Sequence, residues 1–342
     1  MATRSQVLCD IALLRQSLRR AGNPHLPLMK LQGWRPASDV VVDITAIVAA
    51  LLLALQAPWA APIALLVLGN RQRALGNILH DAAHRNLTRN RRLNDLVTRA
   101  LIAPLLFVSL SHYRELHFRH HLDLGGQDAD PDLIPIPAAK AKSWVTAVAA
   151  NTLSLRAVLG STFGHLIDPA VPMGGRLYIL AWWAVLVAVV VLAVGVGPAA
   201  AMLALWLAAR ATAFHVITTF REMCDHHGLS PGGVFSFTRD IKAAGPWSAL
   251  FHPRNNAYHL THHLLPAVPY YRLPQGAARL FDAAGVPAAR PGVRGLLRRA
   301  GARGRFVAAE RGPVTSWTLG ALQVAALLIS ASYGIGFLFG SG

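Results

Sequence analysis

The chain has 342 residues, of which 54% are hydrophobic and 14% are charged, whereas soluble domains carry about 25% charged residues. The net charge is +17, but the arginines lie beside apolar runs, so we expect contact with anionic lipid at a cytoplasmic membrane face and no nucleic-acid partner. The two cysteines, Cys9 and Cys224, exclude a disulfide framework and a cysteine-based zinc motif.

The first membrane hairpin is predicted after a polar, basic N-terminal segment at residues 1–36, which we expect to be cytoplasmic or interfacial. The apolar run at residues 40–68 is interrupted at Pro58 and is too long for one span of about 20 residues. We therefore predict two helices. The second starts at Pro58 and passes Arg71 and Arg73 on its way to His80, with both arginine side chains reaching toward the interface.

A second hairpin is predicted from the apolar runs 177–196 and 199–220, which are joined by a charge-free turn at Pro198. Its return helix leads to His226, as the return helix of the first hairpin leads to His80. Both turns lack charge and both exits are rich in arginine. The positive-inside rule therefore places the histidines on the cytoplasmic side of an integral membrane protein.

The expected fold class is all-α and integral to the membrane, with four transmembrane helices in two hairpins and a cytoplasmic helical cap that holds a histidine-rich dimetal site. Residues 37–285 form this membrane domain. Residues 286–342 are predicted to be a basic tail followed by an apolar helix at 314–339, which fits either a fifth span or an interfacial helix. The segments 96–110 and 143–167 are too short or too amphipathic to span, so we expect them at the membrane surface.

Histidine pairs and triples at helical spacing are the main chemical signal. Residues three or four apart share one face of a helix, so each cluster presents its imidazoles together. The clusters are His80 and His84 in HDAAH, His117, His120 and His121 in HFRHH, His226 in DHH, and His259, His262 and His263 in HLTHH. A structural zinc takes four ligands, so this set predicts two metal ions. Imidazole suits iron, copper, zinc or nickel, and iron with open positions can activate dioxygen.

These histidine clusters and their flanking residues resemble the membrane fatty acid desaturase superfamily, which includes acyl-lipid desaturases, related hydroxylases and carotenoid ketolases. The resemblance covers about residues 38–275 and rests on HDAAH, YRELHFRHH, REMCDHH and NNAYHLTHHLLPAVPYYRLP. It implies a non-haem di-iron centre with O₂ as co-substrate. It also implies that the iron ligands are His80, His84, His117, His120, His121, His226, His259, His262 and His263. His227 is an alternative to His226.

Polar residues beside the clusters are candidates to orient the ligands, since outer hydrogen bonds fix ligand imidazoles. They are Asp225, Asp130, Asp132 and Asn256, and each could instead be a solvated or helix-capping group. The resemblance implies a separate electron donor, such as a ferredoxin, because no cytochrome b5-type segment is fused to the chain. The basic stretch 290–311 could dock that donor or contact lipid headgroups.

The expected function is a membrane acyl-lipid desaturase that removes hydrogen from an unactivated C–H bond. A lipid hydroxylase or a carotenoid-type oxygenase is the alternative within the same superfamily. A membrane metal transporter is a distant alternative. A transporter should carry its ligands near the middle of the apolar spans, and these spans lack histidine there.

Overall fold

The computed structural model describes residues 2–126, 129–133, 144–226, 229–241 and 245–284. Within those ranges the chain is helical, with no β-strand and one isolated bridge between Asp240 and Tyr258. The helices are α1 Ala2–Arg20, α2 Trp34–Gln56, α3 Ala61–Ala83, α4 Arg91–Val97, α5 Leu110–Asp123, α6 Trp144–Thr152, α7 Leu155–Phe163, α8 Met173–Val194, α9 Val196–Ala209, α10 His215–His226, α11 Val234–Phe237, α12 Gly245–Phe251, α13 His259–Leu264 and α14 Leu273–Ala284. The predictions for His227, 290–311 and 314–339 lie outside the described residues.

Three described helices are long and apolar enough to cross a membrane: Trp34–Gln56, Met173–Val194 and the continuous Val196–His226, in which a π-helical turn joins α9 to α10. α3 follows a short turn at Pro58–Ala60 and packs along α2, as the first predicted hairpin requires. However, α3 carries several polar residues and is not among the three candidates. The four-span count therefore stays a prediction.

α3 lies at the centre of the bundle and packs against α2, α9 and the π-helical turn Arg210–Phe214. Its side chains Leu68, Leu75 and Ile78 are fully buried. The closest crossing lies at Gly69, where a Cβ atom would sit 2.5 Å from the Cβ of Ala213. Only glycine permits the backbones to approach this closely.

Arg71 and Arg73, which the sequence predicts to reach toward the interface, have partners inside the protein. Arg71 instead donates to the fully buried Asp43 of α2 at 2.9 Å, and Arg254 donates to the same carboxylate at 2.7 Å. Arg73 points into the protein, where its Nε is buried. Asp43 stands one helix away from Arg71 and supplies the counter-charge that makes burial possible.

One face of α1 packs on the protein. Its apolar side chains Val7, Leu14 and Leu18 are buried, and the helix contacts α5, α11 and α14. Arg4 pairs with Asp123 at the end of α5, with N–O distances of 2.7 and 2.6 Å. α1 thus packs against and stabilises α5, the helix that carries HFRHH.

The segment between α4 and α5 is irregular, and side chains of α8 donate hydrogen bonds to its backbone carbonyls. Trp182 Nε1 donates to the carbonyl of Ala100 at 2.8 Å, and Trp183 Nε1 donates to that of Pro104 at 2.9 Å. Irregular backbone beside an apolar helix needs such donors, because an unpaired carbonyl is costly away from water. α5 starts immediately after this segment, so these contacts fix its position.

Candidate metal centre

Four pieces of the chain deliver the nine predicted histidines to one place. His80 lies in the last turn of α3, and His84 follows directly after that helix. α5 carries the HFRHH triple, His226 ends α10, and α13 consists almost entirely of the HLTHH motif. All four segments meet at one end of the helical bundle, so residues up to 183 positions apart in sequence become neighbours.

The imidazoles form two groups, and within each group the possible ligand atoms lie within 4.8 Å of one another. The five-histidine group contains His80, His84, His117, His121 and His262. The four-histidine group contains His120, His226, His259 and His263. HFRHH and HLTHH each contribute to both groups, so the groups share a wall, where the rings of His121 and His263 stack at 4.2 Å between centroids.

The Nε2 atoms face one another at distances that hydrogen bonds alone do not explain. In the four-histidine group, Nε2 of His259 lies 2.9 Å from that of His226 and 3.0 Å from that of His263, which in turn lies 3.2 Å from that of His120. A neutral Nε2 offers either one proton or one lone pair, so the inner nitrogens cannot satisfy two such neighbours. A metal cation at the centre of each histidine group would accept the nitrogen lone pairs of that group. The donor set therefore fits two metal ions.

The environment keeps most of these imidazoles neutral, which is the form that binds metal. Burial, followed by the neighbouring histidines, lowers the pKa of His117, His121, His259, His262 and His263 well below the usual value. Burial likewise lowers the pKa of His84 to about 3. Because burial disfavours the protonated form, these imidazoles keep a free nitrogen lone pair at neutral pH and can bind metal.

Asp130 orients His120. Its carboxylate accepts from His120 Nδ1 at 2.8 Å and from the backbone N–H of Gly125 at 2.8 Å and of Asp132 at 3.0 Å. Burial is the largest single influence and lowers the pKa of His120, but the hydrogen bond to Asp130 and the charges of Asp132 and Asp130 together outweigh it, so the pKa is raised. With its Nδ1 occupied by this acceptor, His120 directs Nε2 into the four-histidine group.

The other predicted orienting residues differ in how closely they approach the histidines. Asp225 is fully buried, forms a close ion pair with Arg221, and lies 3.5 Å from His259 Nδ1. Asp132 lies 3.9 Å from Nδ1 of His117 and is half exposed. Asn256 lies beside two arginines instead: with its oxygen turned toward them, it accepts from Arg221 Nε at 2.6 Å and from Arg73 at 2.9 Å.

Arg221 and Arg73 are the site residues that the sequence did not suggest. Arg221 Nη2 lies 3.3 Å from His259 Nδ1. Both arginines sit near the ends of the helices that lead to histidine clusters, and this position is their only sequence signal. The sequence pattern favours interfacial charge for Arg73, because arginine at the end of an apolar span usually has that role.

A cavity of about 810 Å³ opens onto both histidine groups. His80 and His117 of the five-histidine group line it, together with His120, His226 and His259 of the four-histidine group. A substrate in this cavity would therefore lie against both candidate metal positions.

Comparisons with known proteins agree on one family. The fatty acid desaturase family model matches residues 57–295, a range that contains every histidine of the two groups. Dihydrorhizobitoxine desaturase from Bradyrhizobium elkanii is 28% identical over 232 residues, which are 63% of this chain and 66% of that protein. The chain thus spans slightly less than two thirds of that relative's length. The members of this family are oxidoreductases. With a match over more than half of its length, the chain belongs to the fatty acid desaturase family.

Proposed function

We propose that this chain is an O₂-dependent membrane desaturase whose nine clustered histidines hold two non-haem iron ions. The observation that carries the proposal is the convergence of these histidines into two adjacent groups beside one cavity. Nitrogen ligands alone suit a redox metal that needs open positions, whereas structural zinc favours four ligands that often include cysteine. Cys224 is buried but belongs to neither group.

Bound iron would supply dioxygen activation, and the residues of the chain would hold and orient the metal ligands. Each histidine group would hold one ion, and Asp130 fixes the direction of His120. His226 Nδ1 donates to the carbonyl of Phe237 at 2.8 Å, which leaves its Nε2 directed at His259. Five of these nine histidines are buried and the other four are partly buried, so the protein shields most of the site from water.

Desaturation is the reaction that the family description and the name of the relative favour. An acyl lipid is the substrate class implied by the sequence resemblance. Hydroxylation and carotenoid-type oxygenation remain the alternatives, since they differ from desaturation only in where the carbon chain sits against the metal ions. Membership in an oxidoreductase family argues against a metal transporter.

The membrane arrangement and the electron donor belong to the same proposal. We place the histidines on the cytoplasmic side because both hairpin turns lack charge, and we count α3 as the fourth span because it pairs with α2. A separate donor such as a ferredoxin is expected to deliver two electrons. Arg85, Arg89 and Arg91 are exposed close to His84, and they offer a basic surface to an acidic donor.

Mass spectrometry of lipids and small metabolites from cells that express the protein tests this function. The expected result is a product two hydrogens lighter than its precursor, formed only in air and absent with His262→Ala. His25→Ala, which changes a histidine outside both groups, is the matched control and should retain the product. A product heavier by one oxygen would indicate hydroxylation. The absence of any O₂-dependent change with a competent donor would contradict both.

A further inference from the structure

Two large cavities in the described residues differ sharply in character. One is a groove of about 560 Å³ between α2, α8 and α9, and its lining is apolar, with side chains such as Leu51, Val189 and Trp206. No histidine lines it. The cavity that does reach the histidines carries Arg73, Asn151 and other polar groups instead. A long acyl chain prefers apolar walls, and the walls next to the candidate metal positions are not of that kind.

The charges in the histidine cavity are not all neutralised by neighbours. Asp225 pairs with Arg221 and Glu222 lies 3.9 Å from Arg221, whereas the nearest basic side chain to Asp132 is the neutral His117 at 3.9 Å. Arg73 differs, because it forms no ion pair within 4 Å with a described residue. It donates to the neutral Asn256, and its buried Nε has no hydrogen-bond partner among the described residues.

The α3 face between Arg73 and His80 is open. Gly76 lies between them and lines the cavity, and a Cβ added to it would meet nothing within 4 Å. Glycine in a helix interior costs about 1 kcal/mol relative to alanine, so packing does not explain its presence here. Seven residues of α-helix separate Arg73 from His80, which is roughly 10 Å along the axis.

We propose that this cavity binds a compact polar substrate that carries a carboxylate, held by Arg73, with its reacting carbon about one and a half to two helical turns away beside His80 and His259. The proposal rests on the proposed desaturase function and replaces the expected acyl-lipid substrate with a short, water-soluble acid. Arg73 supplies the anion contact, Gly76 leaves room for the body of the substrate, and the histidine groups lie at the far end. Glu222 and Asp225 act on Arg73 only from beyond ion-pair distance, and a buried cation with no carboxylate in direct contact is stabilised when an anionic ligand arrives.

Equilibrium binding of radiolabelled hexanoate to the full chain in phosphatidylcholine nanodiscs tests the proposal. We expect saturable binding that hexanol does not displace. Arg73→Gln should weaken it at least tenfold, because the charged contact is lost, and Arg73→Lys should retain it within about threefold. Gly76→Leu should abolish it by filling the cavity. Gly174→Leu is the matched control, since Gly174 also lies in a helix with open space around its Cβ.

Competition separates a free acid from a lipid as the source of the anion. Palmitate and lysophosphatidate should displace hexanoate poorly, and equal or better displacement by either would overturn the proposal. Absence of saturable hexanoate binding, or binding that Arg73→Gln leaves unchanged, would overturn it as well. Iron content is measured on every variant. Protein that binds no iron would count against the proposed function. The binding of hexanoate tests the carboxylate site independently of the iron content.

Discussion

Replacing Asp130 with asparagine should release iron selectively from the four-histidine group. The carboxylate accepts three hydrogen bonds at 2.8 to 3.0 Å, one of them from the ligand His120. An asparagine side chain turns one acceptor oxygen into an NH₂ donor, so either His120 or Gly125 would face a second donor. Loss of such a ligand-orienting partner typically lowers metal affinity 10- to 100-fold, which corresponds to about 1.4 to 2.7 kcal/mol.

The assay is iron content per chain after equilibration with increasing chelator, measured by mass spectrometry of the metal. Asp130→Asn should lose about half of its iron at chelator concentrations that leave the wild-type protein loaded. Asp168→Asn is the matched control, because Asp168 caps a backbone N–H at 2.9 Å and contacts no histidine of either group. If Asp130→Asn and the wild type keep both ions equally well, Asp130 does not support the metal centre.

Three further substitutions test the packing and the charges. Gly69→Ala should destabilise the fold by about 1–3 kcal/mol through overpacking, because its Cβ would lie 2.5 Å from a neighbouring alanine; an unchanged melting temperature, with Gly174→Ala as the control, would contradict the close helix crossing. Asp43→Ala should cost about 3–5 kcal/mol, since it removes the carboxylate partner of Arg71 and one of the two carboxylate partners of Arg254 at a buried site, and a loss no larger than that of an exposed aspartate would show that this pair is solvated. An arginine hydrogen bond lowers the pKa of Asp95 in the folded protein, so its contribution is present above the unfolded value of about 3.8 and is lost as pH falls below it. Asp95→Asn should therefore lower the melting temperature at pH 7 by more than it does at about pH 3, and equal losses at both values would refute the ion pair.

The sequence predicted those parts of the structure that local patterns determine. The interruption at Pro58 and the turn before Pro198 lie where the structure starts new helices, and the HFRHH spacing lies on α5 as predicted. These features depend on hydrophobic length and on the 3.6-residue period, which are properties of short stretches.

The division of the histidines between two groups was not predictable, because it depends on how distant helices meet. HFRHH gives His117 to one group and His120 to the other, and nothing in the motif distinguishes them. The pairing of Arg71 with Asp43 was unpredictable for the same reason. Its partner Asp43 lies on a different helix. The sequence of an apolar helix does not indicate which charged residue of a neighbouring helix will face it.

Iron stoichiometry and magnetic coupling test the central claim most directly. The full chain, purified in detergent and reconstituted anaerobically with ferrous iron, should bind two iron ions per chain as a coupled pair that O₂ oxidises. His120→Ala should reduce the bound iron and abolish the coupling. Binding of a single ion, uncoupled iron, or tight zinc that iron cannot replace would contradict a di-iron centre built from these nine histidines.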